Sequence, residues 1–111
     1  MSERPASGPV ILVVLLHLHR GREREFEEYE RQAFRIMARY GGTLERRMRR
    51  GGGDSAGPDE VHVVSFPDEE SFRSYRSDGE VEALSALRRD AIRDTVVWRG
   101  RDLPPFSAAS R

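Results

Sequence analysis

The 111 residues contain no cysteine, no lysine and no asparagine. Without cysteine there is no disulfide, no thiolate nucleophile and no thiolate-ligated zinc, which fits a cytoplasmic protein. Without lysine, Schiff-base chemistry and a P-loop lysine are excluded. All nineteen basic residues are arginine, as a GC-rich genome tends to produce, and nineteen acidic residues balance them to a net charge of zero. A neutral chain has no surplus charge for a nucleic-acid backbone, so no nucleic-acid partner is expected. Long apolar runs are also missing. The longest, VILVVLL at 10–16, falls short of the ~20 residues that span a bilayer. Ser2, Glu3, Arg4 and Pro5 precede it and a charged segment follows, a poor match to a signal peptide. No membrane partner is expected.

What is present reads as one domain with tails at 1–8 and 103–111. Val10–His19 is an apolar run rich in Val and Ile, the pattern of a central strand covered on both faces. Over Arg22–Tyr40, Phe26, Tyr29, Ala33, Ile36, Met37 and Tyr40 recur at helical spacing. Glutamates crowd the first half of that stretch and arginines the second, which complements a helix dipole. Gly41-Gly42 supplies its C-terminal stop. Thr43–Arg50 (TLERRMRR) reads as an edge strand with Leu44 and Met48 on one face. GGGDSAGPDE at 51–60 is a loop, and Val61–Phe66 a second buried strand. Pro67-Asp68 opens a short helix carrying Phe72 and Tyr75. Ser77-Asp78-Gly79-Glu80 fits a capping box and starts a further helical piece with Val81, Leu84 and Leu87 inward. Thr95–Gly100 is the last strand.

The order is βαββαβ with the second helix broken, an α+β ferredoxin-like arrangement. Helices then cover one face of an antiparallel sheet, although the first and third strands are read here as parallel neighbours, with His62 and His17 toward opposite ends. The first and third strands lack the alternation of a half-wetted sheet, so the second face needs cover too. A second copy of the chain is the simplest cover, which makes a homodimer the expected state. Two facing sheets would enclose a cavity for a small-molecule ligand.

Three stretches carry a family resemblance: the helix end RYGGTLERR, the segment VVSFPDEESFRSYRSDGEVEALSALR, and the close TVVWRGRD. Together, over about residues 9–102, they resemble the small bacterial proteins of domain-of-unknown-function family thirteen-thirty. That family sits in the dimeric α/β-barrel superfamily beside the antibiotic-biosynthesis monooxygenases. Arg47 falls where the family tends to carry an arginine. The resemblance implies a dimeric barrel that binds an aromatic or polyketide-like molecule. It also implies a possible cofactor-free monooxygenase, in which the deprotonated substrate itself supplies electrons to oxygen. A polyketide cyclase working by acid–base positioning is the alternative, and a non-catalytic module binding a small molecule or a partner is another. A haem-degrading relative would be expected to use an asparagine, which this chain lacks.

The residues offer a few candidates for such chemistry. His17 and His19 share a strand face roughly 7 Å apart. With Glu23 they imitate a metal-binding spacing, but the supporting motifs are missing and no metal is expected. Facing a cavity, either imidazole would serve as a general base. Arg47, in the basic run ERRMRR, suits an anion clamp if it is more than a solvated edge residue. Tyr75 and Trp98 are core or interface aromatics, or else stack on a planar ligand. His62 reads as a partly buried, hydrogen-bonded residue. No nucleophile elbow, dinucleotide fingerprint or zinc-protease motif is present.

Overall fold

The computed structural model describes residues 8–52 and 56–107. The tail expected at 1–8 lies outside them except for Gly8, as does the tail after 107. β1 (Val10–Leu18), β2 (Thr43–Arg49), β3 (Glu60–Phe66) and β4 (Ile92–Gly100) form one sheet in the order β2-β3-β1-β4. α1 (Glu23–Ala38) crosses between β1 and β2, while α2 (Glu69–Arg76), α3 (Gly79–Ala83) and α4 (Ser85–Ala91) link β3 to β4. The architecture is ferredoxin-like α+β. The second helical region is broken into three pieces, one more than expected.

Every hydrogen-bonded pair in the sheet is antiparallel, including β1 with β3. The parallel reading of those two strands is therefore corrected. α1 returns the chain parallel to β1 but two places away. β3 then fills the gap by a hairpin from β2, so it must run against both neighbours. The register sets Val14 opposite His62. His62 and His17 are kept apart by the pleat, which sends them to opposite faces, and not by strand direction.

One face of the sheet carries Val10, Leu12, Leu16 and Leu18 of β1 with Val64 and Phe66 of β3, all buried. Phe26, Ala33, Ile36 and Met37 of α1 close over it. These helical positions repeat at three and four residues, so one stripe meets one face. Among the described residues no helix lies on the opposite face. Ile11, Val13 and Leu15 of β1, Val61 and Val63 of β3, and Val96 and Trp98 of β4 alternate onto it. That pattern is why β1 reads as a continuous apolar run.

Local chemistry departs from expectation at two points. A bulge in β2 between Leu44 and Arg46 inserts Glu45 as an extra residue. It sends Leu44 to the helix side with Arg47, while Met48 opposes Val61 on the open face. Leu44 and Met48 therefore do not share a face, because one extra residue inverts the alternation. Ser77 is also not the helix cap. It sits in helical conformation at the end of α2, and its hydroxyl donates to the Arg73 carbonyl at 2.8 Å. Asp78 caps α3 instead, accepting from the Glu80 amide at 2.7 Å and from the Tyr40 hydroxyl at 2.5 Å.

The end of α1 is a two-bond C-cap. The Gly42 amide bonds the Met37 carbonyl at 3.0 Å and the Gly41 amide bonds Ala38 at 3.1 Å. Gly41 has φ +75°, the left-handed conformation this motif requires. Gly42 is constrained by contact: a Cβ there would lie 2.5 Å from Met37 Cγ and 2.8 Å from Phe66 Cε1. Gly42→Ala is expected to cost about 1–3 kcal/mol by overpacking. A lowered thermal midpoint checks this, and an unchanged one refutes the packing argument.

Candidate functional site

The buried face of β3 holds two ionisable residues in an otherwise apolar row. Glu60 is 1% exposed and His62 2%. Strand alternation puts both toward the helices, and the register of β2 brings Arg47 opposite His62 and Arg49 opposite Glu60. Arg47 grips the Glu60 carboxylate with two hydrogen bonds, Nε to Oε1 and Nη2 to Oε2, both 2.8 Å. Arg49 adds a bond from Nε to Oε2 at 2.9 Å and another from Nη2. Arg47 also donates to Glu27 of α1, so its fork joins β2, β3 and α1. Burial pushes the Glu60 carboxyl upward, but the hydrogen bonds from Arg47, His62 and Arg49 outweigh it and hold the group at about 2.

His62 Nε2 lies 2.9 Å from Glu60 Oε1. An ionised carboxylate only accepts, so the shared hydrogen is on Nε2 and the free lone pair is on Nδ1. Burial lowers the pKa of the imidazole, against the pull of Glu60, so the ring is neutral near pH 7. Phe26 and Phe34 flank it with ring centroids 6.2 and 5.9 Å away. Nδ1 faces Glu30 of α1, whose Oε1 is 3.9 Å off. Burial lifts Glu30 to about 7, and the charge of Glu60 adds to this while Arg47 and Arg88 oppose it. Its place in α1 explains the burial: Glu30 stands four residues after Phe26 and three before Ala33, on the apolar stripe.

Between the sheet and its own helices lies a cavity of about 500 Å³. Leu12, Val14 and Leu16 of β1 form part of its floor, and Tyr29, Glu30, Phe34, His62, Tyr75 and Arg88 supply its aromatic and polar groups. Arg88 Nη2 donates to Thr95 Oγ1 at 2.7 Å. Burial raises the phenols of both Tyr29 and Tyr75, so both are neutral donors at ordinary pH. A second hollow of about 370 Å³ lies between α1 and β2 and shares Glu30, Phe34 and His62 with the first. The arrangement can do acid–base work: a neutral imidazole held by a carboxylate, next to a carboxyl poised near neutrality, in an apolar enclosure.

The expected site residues are dispersed. Tyr75 lines the cavity. Arg47 lies at the second hollow with its guanidinium engaged by Glu60 and Glu27, so it orients the buried carboxylate instead of standing free as an anion clamp. His17 pairs with Asp94 on the open sheet face. His19 lies in a polar hollow with Arg20, Asp59 and Arg93 at the end of β1. Trp98 stands on the open face opposite Val13, 52% exposed. The cavity that Tyr75 lines lies within the single chain, between the sheet and its own helices. Among the described residues no group of three His, Cys, Asp or Glu side chains could hold a metal ion, and no helix is long and apolar enough to cross a membrane.

A family model for a domain of unknown function, DUF1330, matches residues 13–100. The chain belongs to the DUF1330 family. Its match runs from Val13 in β1 to the last residue of β4, so it takes in most of β1, all of β2, β3 and β4, and the helices between them. This DUF1330 fold is similar to a protein of unknown function from Rhodopseudomonas palustris at 20% identity and TM-score 0.74, covering 89% of this chain and 85% of that one. It is similar to SnoaB, a cofactor-independent oxygenase from Streptomyces nogalater, at 19% identity and TM-score 0.64, covering 89% and 99%. A dimeric ferredoxin-like protein of unknown function from Thermobifida fusca matches at 16% identity and TM-score 0.62, covering 86% and 93%. At these identities the likeness is one of fold. No curated protein matches the chain.

Proposed function

We propose that the protein binds a small planar molecule bearing an acidic C–H or O–H, an enol or phenol, in the cavity of each protomer, with His62 as the base that takes its proton. The observation that carries this is the orientation of His62. Its Nε2–H is committed to Glu60, so the basic lone pair is on Nδ1, 3.9 Å from Glu30, and both residues line the cavity. A base in a dry cavity is useful because deprotonation there meets little competing solvent. Tyr75 and Phe34 offer aromatic edges and faces to a planar ligand. Proton abstraction is a first step for a cofactor-free oxygenase, the activity named for the Streptomyces relative, and equally for a cyclase. His17, His19 and Trp98 have no part in this reading, because they lie away from the cavity. Trp98 instead belongs to a homodimer formed through the open sheet face, in line with the dimeric Thermobifida protein.

4-Nitrophenol tests the reading, since its ionised form is coloured and its neutral form is not. Wild type is expected to bind it saturably and to develop the ionised absorbance below the phenol's own pKa. His62→Gln keeps a donor for Glu60 but has no basic lone pair, and should bind the phenol without ionising it. Absence of saturable binding, or equal ionisation in His62→Gln, refutes the proposal.

A further inference from the structure

His62 and Glu30 occupy the wall between two hollows of different character. On one side is the larger, mostly apolar cavity, and on the other is the hollow between α1 and β2. That second hollow is flanked by Glu27 and Arg47, whose side chains are 42% and 40% exposed. His62 is nearly sealed, with 3% of its side chain exposed, while Glu30 keeps 14%. A base enclosed in this way needs a route by which its proton reaches water, or it works once and stops. Glu60 cannot provide the route, because its carboxylate is saturated by Arg47, Arg49 and the Nε2–H of His62. Tyr29, Tyr75 and Arg88 line the first cavity and not the second hollow. Among these acidic groups Glu30 stands 3.9 Å from His62 Nδ1 on one side and lines the exposed hollow on the other.

We infer that Glu30 is the proton carrier between His62 and solvent, passing protons through the hollow between α1 and β2. The inference rests on His62 being the base proposed above. The transfer conserves charge on Glu30. The imidazolium Nδ1–H goes to one carboxyl oxygen as the proton on the other oxygen leaves to water, and the carboxyl ends neutral with its two oxygens exchanged in role. The 3.9 Å gap is longer than a hydrogen bond, and a side-chain adjustment or one intervening water closes it. The groups facing the pair are Glu27 and Tyr29 on α1, Arg47 and Arg49 on β2, Glu60 on β3, Tyr75 on α2 and Arg88 on α4. Below neutrality, where His62 takes up its proton, Glu30 is itself protonated. Glu30→Gln therefore alters no charge there, and removes only the ability to exchange a proton.

The test uses the free protein, with no ligand, and follows the ring resonances of His62 by NMR through its protonation. In wild type the protonated and neutral forms should average into one moving set of signals. In Glu30→Gln the exchange rate should fall on the order of tenfold or more, broadening or splitting the signals, while the titration midpoint stays near its wild-type value. Glu30→Asp, which keeps a carboxyl, should restore most of the rate. A Glu30→Gln rate equal to wild type overturns the inference, as does a fall that Glu30→Asp fails to reverse. A shifted midpoint with an unchanged rate also overturns it, since that is a purely structural effect. Failure of the nitrophenol experiment would leave these signals readable, so the two ideas fail separately.

Discussion

Val96→Arg is expected to convert the proposed dimer into a monomer without unfolding the protomer. Val96 sits on β4, an edge strand of the sheet, on the face that no helix covers, and is 43% exposed in the single chain. Beside it lie Leu15 and Trp98, and the row continues through Val13 and Val63. In the protomer an arginine at 96 can reach water with its head while its stem lies along the sheet. In a dimer packed through this face the same guanidinium would be forced into the apolar row of Val13, Leu15 and Trp98, which costs several kcal/mol. The dimer dissociation constant should rise on the order of a hundredfold or more. Light scattering on a concentration series checks the mass, and the single tryptophan gives a second readout: Trp98 emission should shift to the red as the face becomes wet. A Val96→Arg protein that keeps the wild-type mass and emission would mean the face is covered by something else.

The parts of the molecule that depend on one stretch of chain were legible in the sequence. β1 announces itself by a run of Val, Leu and Ile, α1 by its stripe and its graded charge, and the α1 stop by Gly41-Gly42. The need for cover on the second face followed from the same apolar run. The site was not legible, because it is made by pairing across strands. Glu60 and His62 look like ordinary polar residues until Arg47 and Arg49 are set against them by the β2–β3 register. That register passes through a bulge at Glu45, which no alternation rule anticipates. A signal was nevertheless there. Two ionisable residues at positions 60 and 62 share a face with Val64 and Phe66, and such a row is buried only if its charges find partners. Glu30 was hidden among four neighbouring glutamates, and only its phase relative to Phe26 and Ala33 sets it apart. The histidines that drew the eye, His17 and His19, follow the apolar strand closely but sit outside its enclosed side.

Glu30→Gln should make the protein more stable at pH 8 and leave it unchanged at pH 4. The sign follows from the direction of the shift. The Glu30 carboxyl is lifted from 4.5 to about 7, first by burial and then by the charges of Glu60 and Glu27. The stability contributed by a neutral Glu30 is therefore full below about 4.5, declines between there and 7, and is gone above 7. Glutamine is neutral throughout, so it matches the protonated acid at low pH and outperforms the carboxylate at high pH. The side chain is 14% exposed, so solvent screens the effect only weakly. A difference of roughly 2–3 kcal/mol at pH 8 is expected, or about 10 °C in a domain of this size. The two other shifted acid–base groups of the site that titrate at or below neutrality, His62 and Glu60, do not interfere. His62, lowered by burial, withdraws stability as pH falls below its ordinary value of 6.5, and Glu60, lowered from 4.5 to about 2, does so from about 4.5 downward, in both proteins alike. Thermal melts of the two proteins across pH 4–8 give the difference directly. Equal midpoints at pH 8 would show that Glu30 is ionised at no cost, and a dry carboxyl beside His62 would then be the wrong picture. A gain at pH 8 together with slowed proton exchange would show that the chain keeps a destabilising carboxyl where glutamine is better for folding, which stability alone cannot explain.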